Sequence, residues 1–428
     1  MGGCGSKHAA PAVEPIASGP PNVVRVALTS FRWPLDPALA DGRDETTIAR
    51  ALYATPLRTD PATGAVAPGL CSAWKASPDF RDWTFTCSAA PSIAAALRRV
   101  ARLKDAPSRW LFADATRISA DTATRLRIHL RFAWRRFPYA LTVVAAAPRF
   151  VAGPFRLVSG SARRVVVRSP ELTVVFQRLG AYAAMRAFRR GQLDETPVPL
   201  GDVAADEDNP ALRDQVRTRR LLGLDLVVFH SVDPELRRAY WQTADRTDYE
   251  QLVPEQDGAS AFGLVGAGPG ADPGRFRQAT HGIPSLPRVL VRIAVPPDPV
   301  LRFGARLLYA GWRDLGLGPR LTGESSRADA SFRRLLAVYP QAEAILAELA
   351  LRDGVGSRSG LVHALAVTDQ KEDLKRLDDR LRQTAAVVPI SWVVDARLVS
   401  PRLEGWREDV LGNVDYTAIR SRASSRGP

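Results

Sequence analysis

The side chains that most often carry out catalysis or bind metals are few in this sequence and lie far apart. Five histidines occur, and none has a second histidine, a cysteine or a carboxylate at the spacing of a metal site. No Gly-x-Ser-x-Gly turn presents a nucleophilic serine, and no glycine-rich phosphate loop ends in Gly-Lys-Ser or Gly-Lys-Thr. The sequence therefore predicts no catalytic residue, no metal site, no cofactor and no enzymatic activity.

Two of the three cysteines are placed where they could form a bond. Segments 72–76 and 83–86 alternate in character around a turn at 77–82, which predicts an antiparallel hairpin. Pairing of these strands places Cys71 within one register step of Cys87, at a Cα separation of ~5.5 Å that suits a disulfide. A disulfide would indicate an oxidising compartment outside the cytoplasm, whereas the alternative is two buried free thiols.

The third cysteine, Cys4, lies in a sequence that resembles a lipidation signal. Met1-Gly2-Gly3-Cys4 is similar to the end of a bacterial lipoprotein signal, in which two small residues precede the lipidated cysteine. The basic and apolar segments of that signal do not precede it here, so an earlier start codon and a chance match are both open. The same residues also satisfy the N-myristoylation pattern. We predict a lipid anchor on Cys4 as the protein's one contact with a membrane.

The net charge raises the question of a polyanionic partner. The formal charge is +14 and the isoelectric point is near 10.3, and clustered basic residues are typical of proteins that bind a phosphate backbone. Here the basic residues are spread in short doublets such as Arg98-Arg99, with no run as long as a basic arm. We therefore predict no nucleic-acid partner. The alternative is an arginine-rich nucleic-acid binder, whose affinity for duplex DNA would fall steeply with salt.

Hydrophobic patterning predicts the elements that must position any binding residues. With 428 residues, 46% of them hydrophobic and 24% charged, the chain should fold into two or three packed units. Strand patterns occur at 23–28, 125–131, 163–168, 173–177, 224–230 and 288–295, and helical patterns at 45–53, 93–104, 179–191 and 299–313. The alternation indicates an α/β protein, in which the helix at 299–313 connects two parallel strands.

Several groups of residues, taken in order, resemble one protein family. The groups are 24–28 with 34–37 and 51–53, 60–70 with 73–74 and 83–85, 153–157 with 165–168, 188–194, 388–390, 399–406 and 411–415. They are similar to the opening strand and Leu-Asp-Pro loop, the hairpin, the Gly-Pro turn and the closing segments of the family 5 extracellular solute-binding proteins. That family supplies the dipeptide-, oligopeptide- and nickel-binding components of bacterial ABC importers.

The resemblance implies an α/β, two-lobed, periplasmic-binding-protein-like (type II) fold with a reduced extra domain in lobe one. The reduction is expected because the long segment that follows the hairpin in the family is absent after Cys87. The implied segments are a lipoprotein-like tail and linker (1–22), lobe one (23–48 and 151–225), its extra domain (49–150), lobe two (226–388), a return to lobe one (389–420) and a disordered tail (421–428).

The same resemblance implies a solute held between the two lobes, with no bond made or broken. The predicted ligand-binding residues lie on the loop that faces the cleft in the family, on the first helix and in lobe two. They are Phe31, Trp33, Asp36, Tyr53, Val338 and Tyr339. The alternative is that the aromatic members of this set pack the interior of the lobes.

One departure from the family affects the ligand. The peptide-binding members hold the ligand's α-amino group with an aspartate in lobe two, but alignment on Tyr339 places Leu335, Leu336, Ala337 and Val338 at that motif. None of these side chains can neutralise an ammonium group. We therefore predict weak or no binding of free peptides, and calorimetry that finds micromolar affinity for a dipeptide would contradict this prediction.

The leading hypothesis from the resemblance is a monomeric, extracytoplasmic receptor at the cell surface or in the periplasm. It would capture a small solute, peptide-like or other, and deliver it to the permease subunits of an ABC importer. The alternative is a degenerate family member that no longer transports and acts as a surface sensor or interaction protein. The missing ammonium anchor and the shortened extra domain motivate this alternative.

Overall fold

Strands and helices alternate along most of the chain. The computed structural model describes residues 22–61, 63–145, 153–246, 249, 261, 263–264, 289–323, 327–367 and 371–421. The strands are β1 (Val23–Leu28), β2 (Leu57–Thr59), β3 (Val66–Pro68), β4 (Cys71–Ala76), β5 (Asp82–Cys87), β6 (Ala115–Ala120), β7 (Arg125–Leu130), β8 (Arg156–Gly160), β9 (Arg164–Arg168), β10 (Thr173–Arg178), β11 (Glu195–Pro197), β12 (Val216–Phe229), β13 (Leu290–Ala294), β14 (Gly318–Thr322), β15 (Ala330–Leu336), β16 (Val387–Val399), β17 (Leu403–Glu404) and β18 (Arg420–Ser421). The α-helices are α1 (Gly42–Leu52), α2 (Ala90–Arg102), α3 (Ala181–Arg189), α4 (Val203–Asp208), α5 (Pro234–Gln242), α6 (Pro299–Asp314), α7 (Glu343–Leu351), α8 (Arg358–Ala366) and α9 (Lys371–Thr384). Within these ranges no helix has both the length and the apolarity needed to cross a bilayer.

Ten strands form one mixed sheet that extends through two lobes. Their order is β14-β13-β15-β12-β16-β11-β1-β10-β9-β8. Lobe one contains β1 and β8–β11, and lobe two contains β13–β15. The strands β12 and β16 are long and pair with each other in antiparallel orientation. The C-terminal half of β12 pairs with β15 in lobe two, and the C-terminal end of β16 pairs with β11 in lobe one. Both strands therefore belong to both lobes. We refer to β12 and β16 as the hinge strands.

The pairing between the hinge strands is irregular near its centre. The register shifts between Arg220 and Leu224 and again between Asp225 and Leu226. Pro389, which has no N–H group for the ladder, lies opposite Leu226. Gly223 approaches β15 so closely that a Cβ atom there would lie 2.5 Å from a methyl group of the Leu336 side chain. Because bulges bend and twist strands, these irregularities place deformable backbone where the lobes join.

Helices cover both faces of the sheet in each lobe. In lobe one, α1 packs on one face, with side chains such as Ile48 against Val26, and α3 and α4 pack on the other. In lobe two, α5 and α6 cover one face and α7–α9 cover the other. Strands buried on both faces are typical of α/β proteins. The predicted parallel unit is confirmed, because β13 and β14 pair in parallel on either side of α6.

A second, antiparallel sheet forms the extra domain, which we define as residues 57–145. Its four strands have the order β4-β5-β7-β6, and α2 packs against them. The predicted hairpin is confirmed, with Cys71 directly opposite Cys87. The two sulfur atoms are bonded at 2.09 Å, which confirms the predicted disulfide. The third cysteine, Cys4, lies outside the described residues.

Two parts of the chain differ from what the sequence patterns predict. The strand predicted at 224–230 begins eight residues earlier as β12, at Val216, since arginines interrupt the apolar pattern at its start. The patterns predict no helix at 343–384, where α7–α9 lie. Helix α7 is buried on all sides from Glu343 to Leu349. A helix without a polar face lacks the periodic contrast by which an amphipathic helix is detected.

Candidate functional site

A cleft of about 550 Å³ lies between the lobes, beside the hinge strands. Lobe one lines it with residues of α1 and of the loop before that helix, and lobe two lines it with the apolar segment Leu335–Val338. Leu221 of β12 and Val393 of β16 also face it. Since the walls belong to different lobes, movement about the hinge strands would change the shape of the cleft.

Ten charged side chains line this cleft, five of each sign. They are Asp41, Arg43, Asp44, Arg50, Asp298, Arg334, Glu348, Arg352, Asp395 and Arg397. Three of the carboxylates already accept hydrogen bonds from backbone N–H groups: Asp41 from Gly42, Asp44 from Thr29 and Ser30, and Asp298 from Leu301. The charged groups of the cleft are therefore balanced in sign, and several of them are already paired within the protein.

A buried ionic network lies at the lobe-one end of the hinge strands. Arg397 of β16 contacts Glu195 of β11 and lies 3.0 Å from Asp395. Arg43 of α1 lies 2.5 Å from Asp395 and also contacts Glu408. Burial raises the pKa of the Glu408 carboxyl, whereas the two arginines lower the pKa of Asp395 although it too is desolvated. The network joins α1, β11, β16 and the C-terminal segment at the edge of the cleft.

Lobe two contributes two further ion pairs to the cleft wall. Arg334 of β15 binds both oxygens of Asp225 of β12, at 2.8 and 2.9 Å, and the Tyr249 hydroxyl donates to the same carboxylate at 2.7 Å. On α7, Glu348 accepts a hydrogen bond from Arg352 at 2.7 Å. Burial nevertheless raises the pKa of Glu348 to about 7, because loss of water disfavours its charged form more than Arg352 favours it.

Replacement of Glu348 by glutamine is expected to remove a pH dependence of stability. The pKa of the carboxyl rises from 4.5 to about 7 on folding, so the folded protein binds the extra proton in this window and stability falls as the pH rises through it. In urea unfolding, the wild type should lose about 2 kcal/mol more than the variant between pH 5 and pH 7.5.

The matched control for this prediction is Glu372→Gln on α9. The Glu372 side chain is 81% exposed, so its replacement should leave the slope of stability against pH unchanged. Parallel pH profiles for the wild type and Glu348→Gln would contradict the prediction.

The structure places two of the six predicted ligand-binding residues on the cleft wall. These are Tyr53, just after α1, and Val338, just after β15. The Tyr53 hydroxyl lies 3.4 Å from the Leu35 carbonyl oxygen, which is long for a hydrogen bond. Sequence reasoning missed Arg50, which lies in the last turn of α1 and lines the cleft together with Tyr53. Helical spacing from Tyr53 could have indicated it.

The other four predicted residues have partners elsewhere. Phe31 is 3% exposed in the core of lobe one, and Trp33 packs against that core and beside Gly160. Asp36 forms an ion pair with Arg99 of the extra domain. Tyr339 is fully buried and stacks on Tyr139, with ring centroids 5.5 Å apart. Phe31, Trp33 and Tyr339 thus pack against other side chains of the protein, which is the alternative to ligand binding given above for the aromatic residues.

A second cavity of about 590 Å³ adjoins the cleft within lobe one. It lies between α1, the start of the extra domain and the C-terminal segment 407–417. Four residues line both spaces: Arg50, Tyr53, Thr55 and Asn413. The end of α1 therefore separates a cavity between the lobes from a cavity inside one lobe.

The extra domain also contacts lobe two directly, through residues that do not line the cleft. Tyr139 stacks on Tyr339 and accepts a hydrogen bond from Gln341 at 2.8 Å. Arg136 lies 3.2 Å from Glu343, which is only 1% exposed. Burial raises the pKa of Glu343. These contacts hold the lobes together in the described arrangement, and separation of the lobes would break them.

Within the described residues no group of three or more His, Cys, Asp or Glu side chains is arranged to hold a metal ion.

No protein-family model matches the sequence, and no curated protein matches it. Solved structures do match. The murein tripeptide binding protein MppA of Escherichia coli is 17% identical, with 94% of this chain and 99% of that chain covered and a TM-score of 0.77. OppA of Haemophilus influenzae in complex with RPPGFSPFR is 15% identical, with 95% and 100% covered and a TM-score of 0.77.

A second MppA structure also matches this chain. The unliganded open form of that protein is 16% identical, with 94% of this chain and 98% of that chain covered, and its TM-score is 0.69. A high structural similarity at low sequence identity shows that two proteins share a fold. The chain has the two-lobed α/β fold of these peptide-binding proteins, as its sequence motifs predicted.

Proposed function

We propose that the protein is the solute-binding receptor of an ABC importer and captures a small solute between its two lobes. The observation that carries the proposal is the cleft of about 550 Å³ between the lobes, beside the hinge strands. A cavity of this volume suits a small molecule. Proteins of the same fold bind a murein tripeptide and an oligopeptide. The domain boundaries predicted from the sequence belong to this proposal, with lobe two at 226–388.

Binding would act by selecting the closed arrangement of the lobes. A solute that touches both walls gains contacts only when the lobes approach, so its binding energy shifts the population towards closure. Closure also removes water from the polar groups of the cleft. The permease subunits would then recognise the closed receptor, with no chemical step.

A thermal-shift screen tests this proposal. Peptides, sugars, opines and metal chelates are added to the full chain, and a solute at 100 times its Kd should stabilise the folded state by about 2.7 kcal/mol. Small-angle X-ray scattering on each positive compound should show a smaller radius of gyration. A screen in which no compound stabilises the protein would favour the sensor or interaction protein instead. The contacts of Tyr139 and Arg136 with lobe two favour this second candidate, because separation of the lobes would have to break them.

Free peptides are expected to bind weakly or not at all. Leu335–Val338 line the cleft, so the position aligned with the family's ammonium-binding aspartate is occupied by apolar side chains. The cleft carboxylate nearest in sequence, Glu348, is paired with Arg352. Isothermal calorimetry with a dipeptide and its N-acetylated form should show no advantage for the free amine. A preference for the free amine would show that another carboxylate takes the role of the missing aspartate.

We also propose an extracytoplasmic location, a lipid on Cys4 and a monomeric state. The disulfide between Cys71 and Cys87 supports the location, because disulfides persist in oxidising compartments. Metabolic labelling with palmitate, in cells that express the gene with its upstream sequence, tests the anchor against a Cys4→Ser variant. Equal labelling of both proteins would exclude lipidation of Cys4. Genes for a permease and an ATPase beside this gene would support the proposed partners.

A further inference from the structure

Arg50 differs from the other arginines that line the cleft. Arg43, Arg334, Arg352 and Arg397 each have a carboxylate oxygen within 3.0 Å. The carboxylate closest to Arg50 is that of Asp409, at 3.8 Å, which is beyond hydrogen-bond distance. Within the described part of the chain, the guanidinium of Arg50 has no hydrogen-bond acceptor. Arg50 is therefore within ion-pair distance of Asp409, but its hydrogen-bond donors are available, in contrast to the other cleft arginines.

The two carboxylates that surround Arg50 are committed to their own loop. Asp409 accepts hydrogen bonds from the backbone N–H groups of Leu411 and Asn413, both at 2.9 Å. Asp415 accepts from the Thr417 N–H at 2.9 Å and from its hydroxyl at 2.6 Å. They attract Arg50 only from a distance. Burial lowers the pKa of Arg50, since this attraction does not compensate fully for the lost water.

The position of Arg50 makes it accessible from two spaces. Its side chain is 31% exposed, and together with Tyr53 it lines both the cleft between the lobes and the cavity inside lobe one. Arg50 lies in the last turn of α1, and Tyr53 is the residue that directly follows the helix. Among the residues that the structure describes, the Tyr53 hydroxyl has only the long contact to Leu35, so it could turn towards a ligand.

We infer that Arg50, with the Tyr53 hydroxyl as a second donor, anchors an oxyanion of the solute, either a carboxylate or a phosphate. The planar guanidinium can form two parallel hydrogen bonds to such a group. The rest of the solute would lie against the apolar segment Leu335–Val338. No side chain of that segment can neutralise an ammonium group on the solute. The inference rests on the proposed solute-binding function and specifies its substrate class as an anion without a free ammonium group.

The anchor belongs to lobe one alone. Arg50 lies on α1, and its surroundings at 407–417 are part of the same lobe. An anionic group held there does not need lobe closure for its main contact. The solute should therefore bind first to lobe one, and lobe two should then close on the apolar remainder.

Arginine modification by phenylglyoxal, read out by peptide mass mapping, tests the anchor without knowledge of the solute. The full chain is modified at constant ionic strength with added phosphate, acetate or chloride. Phosphate or acetate should slow modification of Arg50 several-fold relative to chloride, and the stronger protector identifies the preferred oxyanion. Arg98 is the matched control, because it is exposed on α2 away from both cavities. Equal protection of the two arginines, or no reaction at Arg50, would overturn the inference.

Variants connect the anchor with solute binding. For an anionic solute from the thermal-shift screen, Arg50→Met should weaken binding roughly tenfold to hundredfold, and Arg50→Lys should weaken it less. Unchanged affinity in Arg50→Met would overturn the inference and leave the receptor function intact. Protection of Arg50 by oxyanions, combined with a screen in which no solute binds, would support the anchor and contradict the receptor function.

Discussion

Replacement of Arg397 by methionine is expected to lower the free energy of unfolding by about 3–5 kcal/mol. Arg397 is 3% exposed, and its guanidinium contacts Glu195, which is completely buried, and lies 3.0 Å from Asp395. Methionine fills a similar volume but leaves both carboxylates with less positive charge in an environment without water. An unpaired buried charge is destabilising because it loses hydration without gaining a partner.

Urea unfolding of the full chain provides the measurement, with the midpoint and slope fitted together. Arg376→Met on α9 is the control, because the Arg376 side chain is 71% exposed and such pairs contribute about 0–1 kcal/mol. If Arg397→Met does not fold, the double variant Arg397→Met/Glu195→Gln should recover folded protein, since it removes one unpaired charge. A loss below about 1 kcal/mol in Arg397→Met would show that water or the neighbouring Arg43 already compensates for the network.

The second large effect is expected from loss of the disulfide between Cys71 and Cys87. The bond closes a loop over a sequence separation of 16 residues, and removal of a cross-link of this length lowers stability by about 3 kcal/mol. The reason is that the unfolded chain gains conformational entropy. Both cysteines are buried. The test therefore uses the double variant Cys71→Ala/Cys87→Ala, because serine at these positions would bury a hydroxyl group without a hydrogen-bond partner.

Reduction of the wild type by dithiothreitol should reproduce the effect of this double variant in urea unfolding. The variant itself should not respond to the reductant, which separates the disulfide from other effects of reduction. Alkylation before and after reduction, followed by peptide mass mapping, would show whether residues 71 and 87 are bonded in the purified protein. Equal stability of the oxidised and reduced wild type would contradict the prediction.

The two predictions concern different parts of the molecule. Arg397 stabilises the lobe-one end of the hinge strands, whereas the disulfide stabilises the hairpin of the extra domain. Because the sites share no partner, their effects should add within a few tenths of a kcal/mol when the variants are combined. A large deviation from additivity would show that the extra domain and the hinge unfold as one cooperative unit.

The amino-acid sequence by itself determined the local elements and their order. Apolar runs such as Val23–Leu28 and the spacing of α6 are visible as periodic patterns, because backbone geometry repeats every two or 3.6 residues. The hairpin with Cys71 opposite Cys87 follows from pairing about one turn. The order of several short motifs along the chain predicted the two-lobed architecture, which the structure confirms.

Only the tertiary structure decided which side chains meet in the cleft. Arg397 and Glu195 are 202 residues apart, and Arg43 and Glu408 are 365 apart, so no local pattern connects them. The same applies to Phe31, whose place in the core depends on neighbours from distant strands. Periodicity indicates whether a residue faces the interior. An ion pair, or a guanidinium such as that of Arg50 that has no hydrogen-bond acceptor among the described residues, depends instead on which distant segments pack together. That information lies in the three-dimensional contacts of the chain.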